Sequence, residues 1–285
     1  MGISEQLSAA VVAKRSPLVL GLDPRPERMP PAFRDGAHGI VRFHERLIGL
    51  LRDFVVAIKP QSAFFELLDE DAFAAWRDTC AMGRDAGLCV IGDVKRGDIG
   101  STATAYAEAH FRHADVLTVH PYLGDDSIDP FLAHCTDGGR GIFVLCATSN
   151  PGWRRFQAIE DRQGRPLWSH VADAIAEWND RCRAPDAPLG PVGAVVGATH
   201  PDLLVRARSA MPASWLLLPG VGAQGASAAD VAPAFLPDGT GALLPVSRGL
   251  ASCFEPGEVA WESAVVAAAA AILAEVRAGV PALCL

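Results

Sequence analysis

Three ionisable residues crowd the end of one apolar run: Asp93, Lys95 and Asp98, in DVKRGDIGST, follow Leu88–Cys89–Val90–Ile91. Buried charge is costly unless it is paired or put to use. Residues two apart on a strand project from one face, so Asp93 and Lys95 are expected to pair. The pair could be structural, with Asp98 or Ser101 capping the helix that follows. It could instead be part of a functional set of charges gathered at the strand ends. Two further residues favour the second reading: Lys59, in AIKPQ, closes the run Phe54–Lys59, and Asp23, in GLDPRP, follows the run Leu18–Leu22.

A second set of residues has the chemistry of an anion site. PGVGAQG places Gly220, Gly222 and Gly225 in a G-x-G-x-x-G spacing. It lies late in the chain, far from the first strand, where a dinucleotide fingerprint belongs. A phosphate loop using backbone N–H groups suits it better. Arg248, in PVSRG, adds a guanidinium fork for the same anion. Ser149 and Asn150, in ATSNPG, are hydrogen bonders or turn caps. His120 closes DVLTVHP and is expected to be a hydrogen-bonded residue near a strand end. His38, His44, His110 and His113 look like loop or helix-surface residues. Cys146 has no assignable histidine partner and is read as core packing. No acidic or histidine set has metal-ligand spacing.

The elements that must carry these residues recur along the chain. Apolar runs of strand length fall at Leu18–Leu22, Phe54–Lys59, Leu88–Lys95, Val116–His120, Gly141–Ala147, Gly193–Thr199, Trp215–Pro219 and Ala242–Ser247. Helical spacing fills the intervals at Ile40–Arg52, Asp71–Asp85, Thr102–Arg112, Leu167–Arg183 and Pro201–Ala210. Such alternation predicts βαβ units with parallel strands buried on both faces. Eight units predict a closed (β/α)₈ TIM barrel of class α/β, with an open doubly wound sheet as the alternative. The Pro/Gly-rich stretches Pro24–Gly39, Ala184–Pro191 and Pro233–Gly241 are loop-sized, so residues 1–285 read as one domain. In a barrel the βα loops carry the chemistry, and the strand ends named above are predominantly polar or charged.

Composition narrows the possible partners. With a formal net charge of −8 over 285 residues, neither nucleic acid nor an anionic membrane surface has electrostatic support. The longest apolar run, Ala264–Ala274, falls well short of the roughly 20 residues that span a bilayer. The seven scattered cysteines read as reduced thiols of a cytoplasmic protein, and no signal peptide is visible.

Taken in order, GLDPRP, AIKPQ, DVKRGDIGST, TSNPG, PGVGAQG and SRG resemble the orotidine 5′-phosphate decarboxylase family, in particular its longer bacterial subgroup. The resemblance covers nearly the whole chain, and D-x-K-x-x-D-I is its most specific part. It implies cofactor-independent decarboxylation of orotidine 5′-monophosphate to UMP and CO₂, the last step of UMP biosynthesis. It also implies a homodimer with active sites at the subunit interface. Lys59, Asp93, Lys95 and Asp98 would form the charge array, Lys95 being the proton donor to C6, and Asp98 and Thr102 would enter the partner's site. Asp23 and Lys59 would contact the ribose, Ser149 the pyrimidine, and Gln224 and Arg248 the phosphate, with Pro219, Gly222 and Ser247 at the same end. Two departures stand out: the stretch from Trp153 to Pro191 is longer than in compact members, and Ser247 replaces their glycine. The rivals are a magnesium-dependent 3-keto-L-gulonate 6-phosphate decarboxylase, a non-catalytic sugar-phosphate sensor and a nicotinamide-dependent oxidoreductase. The magnesium enzyme has an acidic ligand where this chain has Lys59.

Overall fold

A computed structural model of the chain describes residues 1–136, 139–199, 201–220 and 227–284. Helix α1 (Ile3–Lys14) precedes strand β1 (Leu18–Leu22), α2 (Gly36–Leu51), β2 (Ala57–Pro60), the short α3 (Ser62–Phe65) and α4 (Ala72–Asp85). Then come β3 (Cys89–Arg96), α5 (Gly100–Phe111), β4 (Val116–Val119), α6 (Asp125–Cys135) and β5 (Gly141–Ala147). After one helical turn, α7 (Arg154–Gln157), follow α8 (Leu167–Cys182), β6 (Val192–Val196), α9 (Pro201–Ala210) and β7 (Leu216–Leu217). The chain ends with α10 (Ala228–Val231), β8 (Ala242–Val246), α11 (Arg248–Ala251) and α12 (Trp261–Gly279). The strands close into a barrel in sequence order, β1 pairing with both β2 and β8, and every pairing is parallel. This is the expected (β/α)₈ architecture.

Strands buried on both faces explain the uninterrupted apolar runs: all five residues of β1 and all five of β6 are buried. The helices cover the outside with apolar stripes. On α2, Ile40, Phe43, His44, Leu47, Ile48 and Leu51 form the inward face, a spacing that follows the helical period. Rings of Phe33, Phe43, Phe254 and Trp261 pack together, and Arg46 grips Glu262 with two hydrogen bonds of 2.6 Å, so α2 and α12 are locked.

His44 and His110 correct the reading of both as surface residues. His44 is fully buried, its Nδ1 3.1 Å from the Thr79 hydroxyl and its ring beside Phe65; burial pushes its pKa down to about 3. Its place beside Ile40, Leu47 and Ile48 on the helical stripe already marked it as inward. His110 is buried against Trp76 and Tyr106 and is likewise held neutral, at about 4, first by burial and then by Arg96.

At the opposite end of β3 from the charged cluster, Asp115 accepts hydrogen bonds from Arg84, Arg140 and the Val90 N–H. That network pins β3 where it enters the barrel. Arg208 donates to the carbonyls of Ala234, Met211, Ser214 and Gly241 and ties α9 to the loops around β7. All seven cysteines are free, and Cys146 is a core residue whose thiol is pushed up to about 12 by burial. Among the described residues, no helix is long and apolar enough to cross a membrane.

Candidate active site

The register between β3 and β4 breaks where the charges lie. Gly92 pairs with Leu117, but the next pair is Arg96 with Val119, so β3 spends two more residues than β4 over this interval. A β-bulge of this kind re-aims side chains. Within it Lys95 has φ of 45°, one of only two non-glycine residues with positive φ among those described. Such strain in a non-glycine residue clusters at functional sites. Asp93 and Lys95 do pair, but across a bulge and not as neighbours on a regular strand.

Asp93 is the centre of the cluster. Lys59 Nζ, from the end of β2, donates to Asp93 Oδ2 at 2.6 Å, and Lys95 Nζ donates to Oδ1 at 2.5 Å. The carboxylate is buried, Lys59 nearly so, and the Lys95 side chain is 45% exposed. Burial alone would raise the Asp93 pKa; the ammonium groups of Lys59 and Lys95 outweigh it and hold the value at about 2. The result is a fixed anion between two cations, one of which faces open space.

A third partner escaped sequence reasoning. Thr118, on β4 opposite the bulge, donates its hydroxyl proton to Asp93 Oδ1 at 3.0 Å and accepts the Lys95 backbone N–H at 2.9 Å. It thereby satisfies an N–H that the bulge removes from the ladder. A threonine within DVLTVHP is ordinary strand composition, so only the broken register exposes its role.

Asp98 and Ser101 do not cap α5, which begins after Ile99 with no side-chain cap. Asp98 Oδ1 instead accepts from the Ile99 N–H at 2.8 Å, and it forms no ion pair with Lys95 of its own chain. Thr102 is exposed on the first turn of α5. His120 makes no side-chain hydrogen bond among the described residues; its ring lies against Gly97, where a Cβ would come within 2.3 Å of Nε2.

A 580 Å³ pocket joins Asp23, Lys59, Pro219, Gly220, Ser247 and Arg248, within the size range of small-molecule sites. Asp23 Oδ1 is buried with no hydrogen-bond partner among the described residues, an acceptor suited to a ligand hydroxyl. Arg248 is exposed and forms no ion pair among the described residues, which leaves its guanidinium free for an anion. Ser247 fits because Gly21 has no side chain: a Cβ at Gly21 would lie 2.0 Å from Ser247 Oγ. Ser149 follows β5, half-buried. Gly222 and Gln224 lie outside the described residues.

Residues 16–260 match the model of the "Orotidine 5'-phosphate decarboxylase / HUMPS family". The chain belongs to that family. It is 41% identical to the orotidine 5′-phosphate decarboxylase of Rhodopirellula baltica, over 94% of this chain and 96% of the relative. Identity to the Halobacterium salinarum protein of the same name is 42%, covering 93% and 94%. The structure of Leishmania donovani OMP decarboxylase superposes with a TM-score of 0.80 at 35% identity, covering 98% of both chains. Lys59, Asp93 and Lys95 all fall inside the part of the chain that matches the decarboxylase family.

Proposed function

We propose that this chain is a homodimeric, single-domain, cofactor-independent decarboxylase that converts orotidine 5′-monophosphate to UMP and CO₂. The observation that carries this reading is the buried Asp93 carboxylate held between Lys59 and Lys95 at 2.6 and 2.5 Å. Departure of CO₂ breaks the C6–carboxylate bond and leaves its electron pair on C6, where no adjacent group can delocalise it. Lys95 answers both needs: its ammonium stabilises the developing carbanion and then gives it a proton. At about 4 Å and an effective dielectric near 20, one such pairing is worth roughly 4 kcal/mol. Asp93 keeps Lys95 charged and aimed. The carboxylates of the array also face the substrate's own carboxylate, and loss of CO₂ relieves that repulsion.

Lys59 and Asp23 would hold the ribose, and Ser149 the pyrimidine. Arg248 would take the phosphate together with Gln224 and backbone donors around Pro219, Gly222 and Ser247. Phosphate binding far from C6 supplies energy to order the site. Among the described residues Asp98 pairs with no cation, and Ile99, next to it in the chain, exposes a large apolar side chain, as do Tyr122 and Leu123 after β4. This supports an interface through which Asp98 and Thr102 enter the site of a second copy. The Lys59 ammonium stands where the magnesium-dependent relative has an acidic ligand, which disfavours a cation there. The seven free thiols support a reducing, cytoplasmic setting.

The test is the ultraviolet absorbance of orotidine 5′-monophosphate incubated with the purified protein and excess EDTA. Stoichiometric conversion to UMP is expected. Tight binding of UMP without turnover would replace this reading with that of a sensor, and no conversion here but magnesium-dependent turnover of 3-keto-L-gulonate 6-phosphate would favour the metal-dependent relative.

A further inference from the structure

The stretch between Asn150 and α8 is built to deliver one side chain. The single turn α7 exposes Arg154, Arg155 and Phe156 and turns only Gln157 inward. Beyond it the chain folds into a tight hairpin: Glu160 bridges Pro166, the Leu167 N–H donates to the Ile159 carbonyl at 2.8 Å, and Asp161 Oδ1 accepts from the N–H groups of Gln163 and Arg165. His170 and Asp173, both on α8, hold the hairpin through Asp161 and Arg165. Gln157 is thus attached to a rigid barrel helix, not to a loose loop.

Its carboxamide closes on Thr148, the residue before Ser149. Gln157 Oε1 accepts the Thr148 backbone N–H at 2.8 Å, while Nε2 donates to Thr148 Oγ1 at 2.9 Å. Thr148 then passes its hydroxyl proton to Asn150 Oδ1 at 2.6 Å. One relay therefore fixes the residues on both sides of Ser149. The far side is fixed by space: a Cβ at Gly197 would lie 2.8–2.9 Å from Ser149 backbone atoms, and the Gly197 N–H donates to the Ala147 carbonyl at 2.7 Å. Ser149 is wedged against Gly197, which follows β6, and its neighbour Thr148 is clamped by Gln157.

We propose that Gln157 is a positioning residue for pyrimidine recognition, acting through Thr148 to set Ser149; this rests on the reading of Ser149 as the pyrimidine contact. The hairpin stretch then serves substrate selection, because it brings a remote carboxamide to the β5 end. Such two-point restraint reduces the ordering that ligand binding must otherwise supply.

The experiment compares Gln157→Ala, Gln157→Glu and Ser149→Ala with wild type for calorimetric binding of UMP and of ribose 5-phosphate, which lacks the base. Gln157→Ala is expected to weaken UMP about tenfold, the scale of one lost hydrogen bond in a restrained site, and to leave ribose 5-phosphate within about twofold. KM should rise with the UMP dissociation constant while kcat changes less. Gln157→Glu keeps the acceptor for Thr148 N–H but loses the donor to Oγ1, so it should fall between. In a Ser149→Ala background, Gln157→Ala should add nothing. Equal weakening of both ligands, or unchanged UMP affinity in Gln157→Ala while Ser149→Ala weakens it, overturns the clamp and leaves the Ser149 reading standing. Unchanged UMP affinity in Ser149→Ala overturns the Ser149 reading itself, and the proposal with it.

Discussion

Asp93 is ionised because two ammonium groups touch it, and the consequences can be measured. Its folded pKa of about 2 lies below that of an unfolded aspartate. The stability it contributes is therefore complete above roughly pH 4 and is lost as pH falls toward 2. Urea unfolding should show wild type more stable than Asp93→Asn at pH 5, with the gap narrowing by on the order of 2 kcal/mol by pH 2. A constant gap would mean that the lysines do not hold the carboxylate. Thr118 gives a second test at this scale. Thr118→Val preserves shape but strands the Lys95 N–H, which should cost about 1–3 kcal/mol of stability and lower kcat about tenfold as the ammonium drifts from its place. Thr118→Ser should restore both.

Elements were more legible than the details that make them work. Runs of apolar residues at strand length found all eight strands, and Gly141–Ala147 matches β5 from end to end. Trp215–Pro219 shrinks to Leu216–Leu217 because only those two residues have ladder partners on both sides. Helix α1 went unread because its polar and apolar residues lack a clean stripe, and α6 because Pro130 lies inside it. The charged cluster was visible since charges at the end of an apolar run demand an explanation. Thr118 and Gln157 were not visible, since one acts through a strand bulge and the other through a hairpin that composition alone presents as a loop. Contact between β1 and the β8 end yields a prediction of its own. Gly21→Ala should lose about 1–3 kcal/mol to overpacking against Ser247, and Ser247→Gly in the same chain should recover most of it. Thermal unfolding of the two variants reads this directly; no recovery would mean that Ser247 is not the obstacle.

The whole molecule carries a formal charge of −8 yet gathers Lys59, Lys95 and Arg248 at one end of its barrel. An acidic protein that binds an anionic nucleotide needs such local concentration, and the closed sheet supplies it by ordering the strand ends around one axis. If Asp98 completes the site of the partner subunit, mixing inactive Lys95→Ala with inactive Asp98→Ala should restore about a quarter of wild-type activity, since half the random dimers carry one intact site. The most direct test of the whole account is Lys95→Ala itself, assayed for loss of orotidine 5′-monophosphate absorbance beside a titration with UMP. Turnover should disappear while UMP still binds, because the role proposed for Lys95 is at C6 and not at the phosphate end of the nucleotide. Retained turnover would contradict the assignment of the ammonium that donates the proton to C6.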